Sequence, residues 1–135
     1  MSEENVEAVR RFYTYLNRND WQAIADLTAP GFEWQTAPGI ASSRVFRSIG
    51  AVRQWWNSEV AESWDLRRSS DEIEEVYDLG SCVVVAVRSR DVGRGSGVVV
   101  ESRIAALFEV NAGKIQGVRV FRDVDEGLKA AGLLD

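Results

Sequence analysis

Residues 90–103 read RDVGRGSGVVVESR, and Gly93, Gly95 and Gly97 stand at alternate positions, as in a loop that cradles phosphate. Such a loop works by opening a helix whose first amides and dipole face the anion. Here Val98, Val99 and Val100 follow, which are β-branched strand formers, and neither Lys-Ser nor Lys-Thr comes after Gly97. The glycines are therefore predicted to form the turn of a hairpin. Two acidic runs, Glu72, Glu74, Glu75 and Asp123, Asp125, Glu126, raise the question of a metal. Neither has the spacing of a calcium loop, and the chain has no histidine and one cysteine, so both read as solvated faces and no metal is expected. Cys82 lies in the apolar run CVVVAV and reads as a buried, inert thiol with no disulfide partner.

Charge excludes several partners. With 16 Lys and Arg against 21 Asp and Glu, the chain carries a formal charge of -5, and its pI is near 4.8. Nucleic acid and acidic membrane need a basic surface, so neither is expected. Arg67 and Arg68, or Arg88, Arg90 and Arg94, form local basic spots that read as solvated or locally paired. The start, MSEENVEAVRR, lacks the apolar region of a signal peptide, and no apolar run approaches the ~20 residues of a membrane span. A cytoplasmic location and one domain over 1–135 are the expectations.

The elements follow from periodicity. Val6, Val9, Phe12, Tyr13 and Leu16 recur at three and four and predict a helix over residues 3–17. Asp20 is placed to cap a second helix, WQAIADL, ended by Pro30 and Gly31. FEWQT alternates as a strand with one buried face. After a loop over residues 37–44, Ser48 caps a third helix striped by Val52, Trp55, Trp56, Val60 and Trp64. From residue 66 on, four strands meander antiparallel, since no connection is long enough for a helical crossover. A short helix closes the chain.

This order is carried by VRRFYTYLNRNDWQAIADL, FEW, FRSIGAVRQWW, EEVYDLGSCVVV, GRGSGVVVE and AGKIQGVRVFRDVDEGLKAAGL. It resembles the SnoaL-like domains of the nuclear-transport-factor-2-like superfamily over nearly the whole chain. One departure is Ser48, where many members carry glycine. The resemblance implies an α+β fold, a cystatin-like α+β barrel in which a cone-shaped curved antiparallel sheet wraps around three N-terminal helices. It also implies a pocket between the concave face and the helices.

Members of the superfamily include ketosteroid isomerases, polyketide cyclases, epoxide hydrolases and dehydratases, so the fold does not choose a reaction. Aligned with the isomerases through LN of the first helix and GK of the last turn, the positions of the oxyanion tyrosine, the base aspartate and the hydrogen-bonding aspartate fall on Phe12, Thr36 and Ala106. None of these can do that work. The cyclases use a His and an Asp, and this chain has no His. The epoxide hydrolases use Asp, Arg and Asp with Tyr and Asn; Arg88 fits the arginine, but this register places no two aspartates inward around it.

The same register implies inward positions at Trp34 and Thr36, then Ala86, Arg88 and Arg90, then Ser102, Ile104, Ala106 and Phe108, and finally Val118, Val120 and Arg122. The implied ligand is a small hydrophobic or aromatic molecule, isomerised, cyclised, dehydrated or hydrated without a cofactor. Its carboxylate, enolate or phenolate would meet Arg88, and Tyr13 would donate a proton. Trp34, Trp56 and Phe108 would shape the cavity. For Arg88 the competing reading is an ion pair at the mouth with Glu33, Glu101 or Asp91. The competing function is a non-catalytic ligand-binding or association domain, favoured by the missing His and inward carboxylate. An outward apolar set of Val83, Val85, Val87, Ala105, Leu107 and Phe121 leads to the expectation of a homodimer.

Overall fold

The structure is a computed structural model that describes residues 2–36 and 43–133. Helix α1, Ser2–Asn17, buries the predicted face, with Val9 and Phe12 fully enclosed. Asp20 caps α2, Trp21–Leu27, by accepting a hydrogen bond from the Ala23 amide at 3.2 Å. The following strand starts earlier than its alternation suggests. Thr28 already has extended backbone, and β1 is Thr28–Gln35, so Pro30 and Gly31 lie within the strand instead of ending the helix. A register shift between Thr28 and Glu33 exempts this proline from the hydrogen-bond ladder.

Of the loop expected over 37–44, residues 37–42 lie outside the described residues. A two-residue strand absent from the sequence reading, β2, Val45–Phe46, pairs antiparallel with the end of β1. Ser48 caps α3, Ile49–Trp55, accepting from the Ala51 amide at 3.1 Å. The helix then widens into one π-helical turn, Trp56–Val60, before the short α4, Ala61–Ser63. The meander is β3, Ser70–Asp78, β4, Cys82–Val92, β5, Val99–Asn111, and β6, Lys114–Phe121, and α5, Val124–Ala130, closes the described chain. Among the described residues the strands form one curved sheet in the order β2-β1-β6-β5-β4-β3, with β1 parallel to β6 and every other pair antiparallel. Its two edges do not meet, so the sheet is an open cone.

The alternating glycines form the hairpin turn between β4 and β5. Gly93 donates to the Val98 carbonyl at 2.7 Å, and Gly95 and Gly97 take φ of 84° and 71°, where side chains with a Cβ are strained. At the other end of the sheet the buried Asn5 amide ties α1 to two turns. It donates to the Gly80 carbonyl at 2.8 Å and accepts from the Gly113 amide at 3.1 Å.

The two faces of the sheet differ from the expected assignment. Val83, Val85 and Val87 face the helices, packed with Phe12, Ala106 and Phe108. The opposite face carries Val84, Ala105, Leu107 and Phe121, and α5 covers it with Val124 and Leu128, joined by Ala131 at the helix end. Thus the apolar face on which a homodimer was expected is in part turned inward and in part sealed by the chain's own last helix. The seal is tight at Gly127, where an added Cβ would stand 2.7 Å from the Ala105 Cβ. Gly127→Ala is expected to destabilise the protein by about 1–3 kcal/mol, because overpacking outweighs the ~1 kcal/mol gained in helix propensity. Urea denaturation measures this, and a stabilised variant would show that α5 can lift off the sheet freely.

Candidate functional site

A cleft of about 430 Å³ opens between the inner face of the sheet and the helices. Its apolar wall comes from two sources. Ile104 on β5 and Val118 and Val120 on β6 face it because Ala106 pairs with Val120 and Phe108 with Val118, which puts these positions on one side of the pleat. Trp55, Trp56 and Val60 face it from α3 and the π-helical turn, where the wider backbone turn also admits Glu59 to the lining. Trp34 on β1 and Trp64 complete the wall. The indoles stand at steep angles, with Trp34 and Trp56 at 64° and Trp55 and Trp56 at 71°.

The other end of the cleft is polar. Asp71 on β3 pairs across the ladder with Ser89 on β4, so both side chains share the inner face, and Asp91 follows two residues later on that face. The Ser89 hydroxyl donates to Asp91 Oδ2 at 3.3 Å and stands beside Asp71 across the ladder. Burial raises the pKa of Asp71 above the ordinary aspartate range, opposed by the neighbouring Ser89 hydroxyl and reinforced by the charge of Asp91. Burial raises Asp91 in the same way. Asn17 on α1 fixes the backbone here, accepting from the Asp71 amide at 2.9 Å and donating to its carbonyl at 2.8 Å. Tyr13 lines the cleft one helical turn before Asn17, and burial, with the charge of Asp71, pushes its phenol well above the usual tyrosine pKa. Its phenolate is therefore strongly disfavoured, and the group acts as a neutral hydrogen-bonding hydroxyl.

At the mouth Arg44 pairs with Glu59 at 2.7 Å, and the Thr36 hydroxyl accepts from the Arg44 amide at 2.7 Å. Trp34 Nε1 is buried without an acceptor among the described residues. Among the described residues no three His, Cys, Asp or Glu side chains gather as metal ligands, and no helix is long and apolar enough to cross a membrane.

Of the residues proposed from sequence, Tyr13, Trp34, Thr36, Trp56, Val118 and Val120 line this cleft. Phe108 lies beneath it in the core, against Phe12 and Tyr13. Ser102 shares the inner face opposite Ser89 but is exposed beyond the lining. Arg122 lies outside, bonded to Glu126 on α5 at 3.2 Å. Arg88 and Arg90 sit on the opposite face of β4, one residue out of the expected register. Arg88 is held by Glu74 at 3.0 Å and Glu101 at 3.5 Å, and Arg90 donates to the Arg68 carbonyl at 3.3 Å.

Among the residues missed were Asp71, Ser89 and Asp91. A bulge on β3 between Ile73 and Glu75 reverses the facing along that strand, so Asp71 and Ile73 point inward before it and Val76 after it. In CVVVAV both faces are buried and alternation carries no signal. The signal that could have found the acids is RSRD at 88–91, whose strongly hydrated arginines belong outside and so place Ser89 and Asp91 within.

The model of the SnoaL-like domain family matches residues 9–118. No curated protein is a significant match. Among solved structures, an NTF2-like protein from Burkholderia thailandensis is 26% identical, with a TM-score of 0.73 and 94% of each chain covered. A putative SnoaL-like polyketide cyclase from Jannaschia is 22% identical, with a TM-score of 0.74, covering 97% of this chain and 90% of that one. An LEH-like epoxide hydrolase from M. tuberculosis is 18% identical, with a TM-score of 0.69, covering 95% and 89%. At these identities the last two likenesses show a shared fold.

Proposed function

The chain belongs to the SnoaL-like domain family, and from that premise we propose that its cleft binds a small hydrophobic molecule and moves a proton on it with Asp71 and Asp91. The observation that carries this reading is the pair of inward carboxyls on either side of the Ser89 hydroxyl at the end of an aromatic cleft. Two acids so placed favour a state in which one keeps a proton and the other is ionised. The protonated carboxyl gives its proton to a substrate oxygen, and the ionised one takes a proton from carbon or from an attacking water. That division of labour serves isomerisation, cyclisation, dehydration or hydration, and the proton transfer draws on the chain's own groups. Tyr13 adds a hydroxyl that can donate to the same oxygen. The similarity of fold to the putative polyketide cyclase and the epoxide hydrolase supports a substrate of this class.

The test is a titration that follows tryptophan fluorescence with steroids, aromatic polyketides and terpenoid epoxides, with turnover assayed for whatever binds. Saturable quenching by one class, with turnover, is the expected result. Binding without turnover would turn the reading into a ligand-binding domain, and silence across the panel would remove the cleft as a site. In the same assay Arg88→Ala is expected to leave affinity and rate within about twofold, since an exposed ion pair on the far face has no contact with the cleft. A larger loss would show that β4 presents Arg88 to the ligand.

A further inference from the structure

The charge of the cleft says what kind of ligand it takes, and the argument rests on the reading of the cleft as a binding site. Three carboxylates line it, Glu59, Asp71 and Asp91, against one guanidinium, Arg44. Arg44 is engaged by Glu59 at 2.7 Å, and among the described residues neither Asp71 nor Asp91 has an ion-pair partner. The arginines that would suit an anionic ligand, Arg88 and Arg103, are spent on Glu74, Glu75 and Glu101 on the outer face. A carboxylate or phenolate entering the cleft would lose water and meet like charge. The remaining wall is indole: Trp34, Trp55 and Trp56 meet at 64° and 71° and offer an apolar surface for the body of a ligand whose charge lies at the acidic end.

We infer that the ligand is a hydrophobic organic cation, a tertiary amine or quaternary ammonium compound, with its apolar body against the tryptophans and its charged nitrogen at the acidic end, beside Asp71 and Asp91. Binding then supplies the positive charge that the two carboxyls lack.

Two isosteric probes separate charge from shape: phenyltrimethylammonium and tert-butylbenzene, with 4-tert-butylbenzoate as the anion. Tryptophan fluorescence gives the three affinities. The expected result is that the ammonium binds at least about tenfold tighter than its neutral isostere, and loses its advantage in Asp71→Asn/Asp91→Asn. If tert-butylbenzene or the benzoate binds as well or better, the cation inference falls while the cleft remains a binding site. If none of the three binds, both readings fall together.

Discussion

Replacing Asp71 with asparagine is expected to lower turnover of the accepted substrate by about 10²–10⁴-fold and to raise the melting temperature at pH 7. The two effects come from one cause. Burial raises the Asp71 pKa, with the charge of Asp91 adding to it, so folding disfavours the ionised form. A carboxyl whose folded pKa is raised contributes stability that is fully present below its unfolded pKa of about 3.9 and is lost as pH rises through the folded value. At neutral pH the native protein therefore carries the cost of a desolvated charge beside a second carboxyl. Asparagine keeps the shape, can accept from Ser89, and leaves the bonds to Asn17 intact, since those use the backbone of residue 71. The gain in melting temperature should be roughly 2–6 °C, the shift that ~1 kcal/mol produces in a domain of this size, and should shrink as pH falls towards 4. Thermal melts at pH 4 and 7 beside steady-state kinetics give both readouts. A lower melting temperature at pH 7 with unchanged rate would show that Asp71 is a structural acid and does not exchange protons with substrate.

The trade between stability and chemistry at Asp71 explains why this part of the site was hard to read in the sequence. Features set by a few neighbouring residues were legible: the caps at Asp20 and Ser48, the face of α1, the glycine turn after β4 and the closing helix. Each depends on hydrogen bonds or periodicity within one or two turns of chain. The facing of β4 depends instead on what covers each side of the sheet. Because α5 seals the outer face over Val84, Ala105 and Leu107, residues 83–87 are buried throughout, and alternation loses its meaning there. The bulge that leaves Glu74 outward, bonded to Arg88 and Arg103, shifts β3 by one residue and has no glycine to mark it. Likewise, the parallel pairing of β1 with β6 joins residues far apart in the chain, and its start at Thr28 was hidden by Pro30 and Gly31, which read as a stop. The aromatic half of the cleft was legible because tryptophan spacing on α3 survives the π-helical turn. The acidic half was not, because its residues are ordinary strand polar residues until the register is known.

The largest loss of stability from a single change is expected at Phe12. Its side chain is fully enclosed, and its ring meets Tyr13 at 5.4 Å, Trp34 at 5.6 Å and Phe108 at 5.2 Å, so one residue of α1 holds the floor of the cleft against β1 and β5. Removing the ring deletes the apolar burial and leaves a cavity that three large neighbours cannot fill without leaving their rotamers. Phe12→Ala should therefore cost about 3–5 kcal/mol, a large part of the ~5–15 kcal/mol that stabilises a typical domain. Ligand affinity should fall with it, because Tyr13 and Trp34 both line the cleft and both lean on this ring. Trp56→Ala makes the contrast. Trp56 is only half-buried and faces the cleft directly, so its loss should weaken binding far more than it lowers the urea midpoint. Urea denaturation and fluorescence titration of the two variants separate support from contact. If Phe12→Ala costs under ~1 kcal/mol, less than any enclosed aromatic ring should, then α1 does not seat on the sheet as described. The cleft, whose polar end hangs from Asn17 on that helix, would lose its frame.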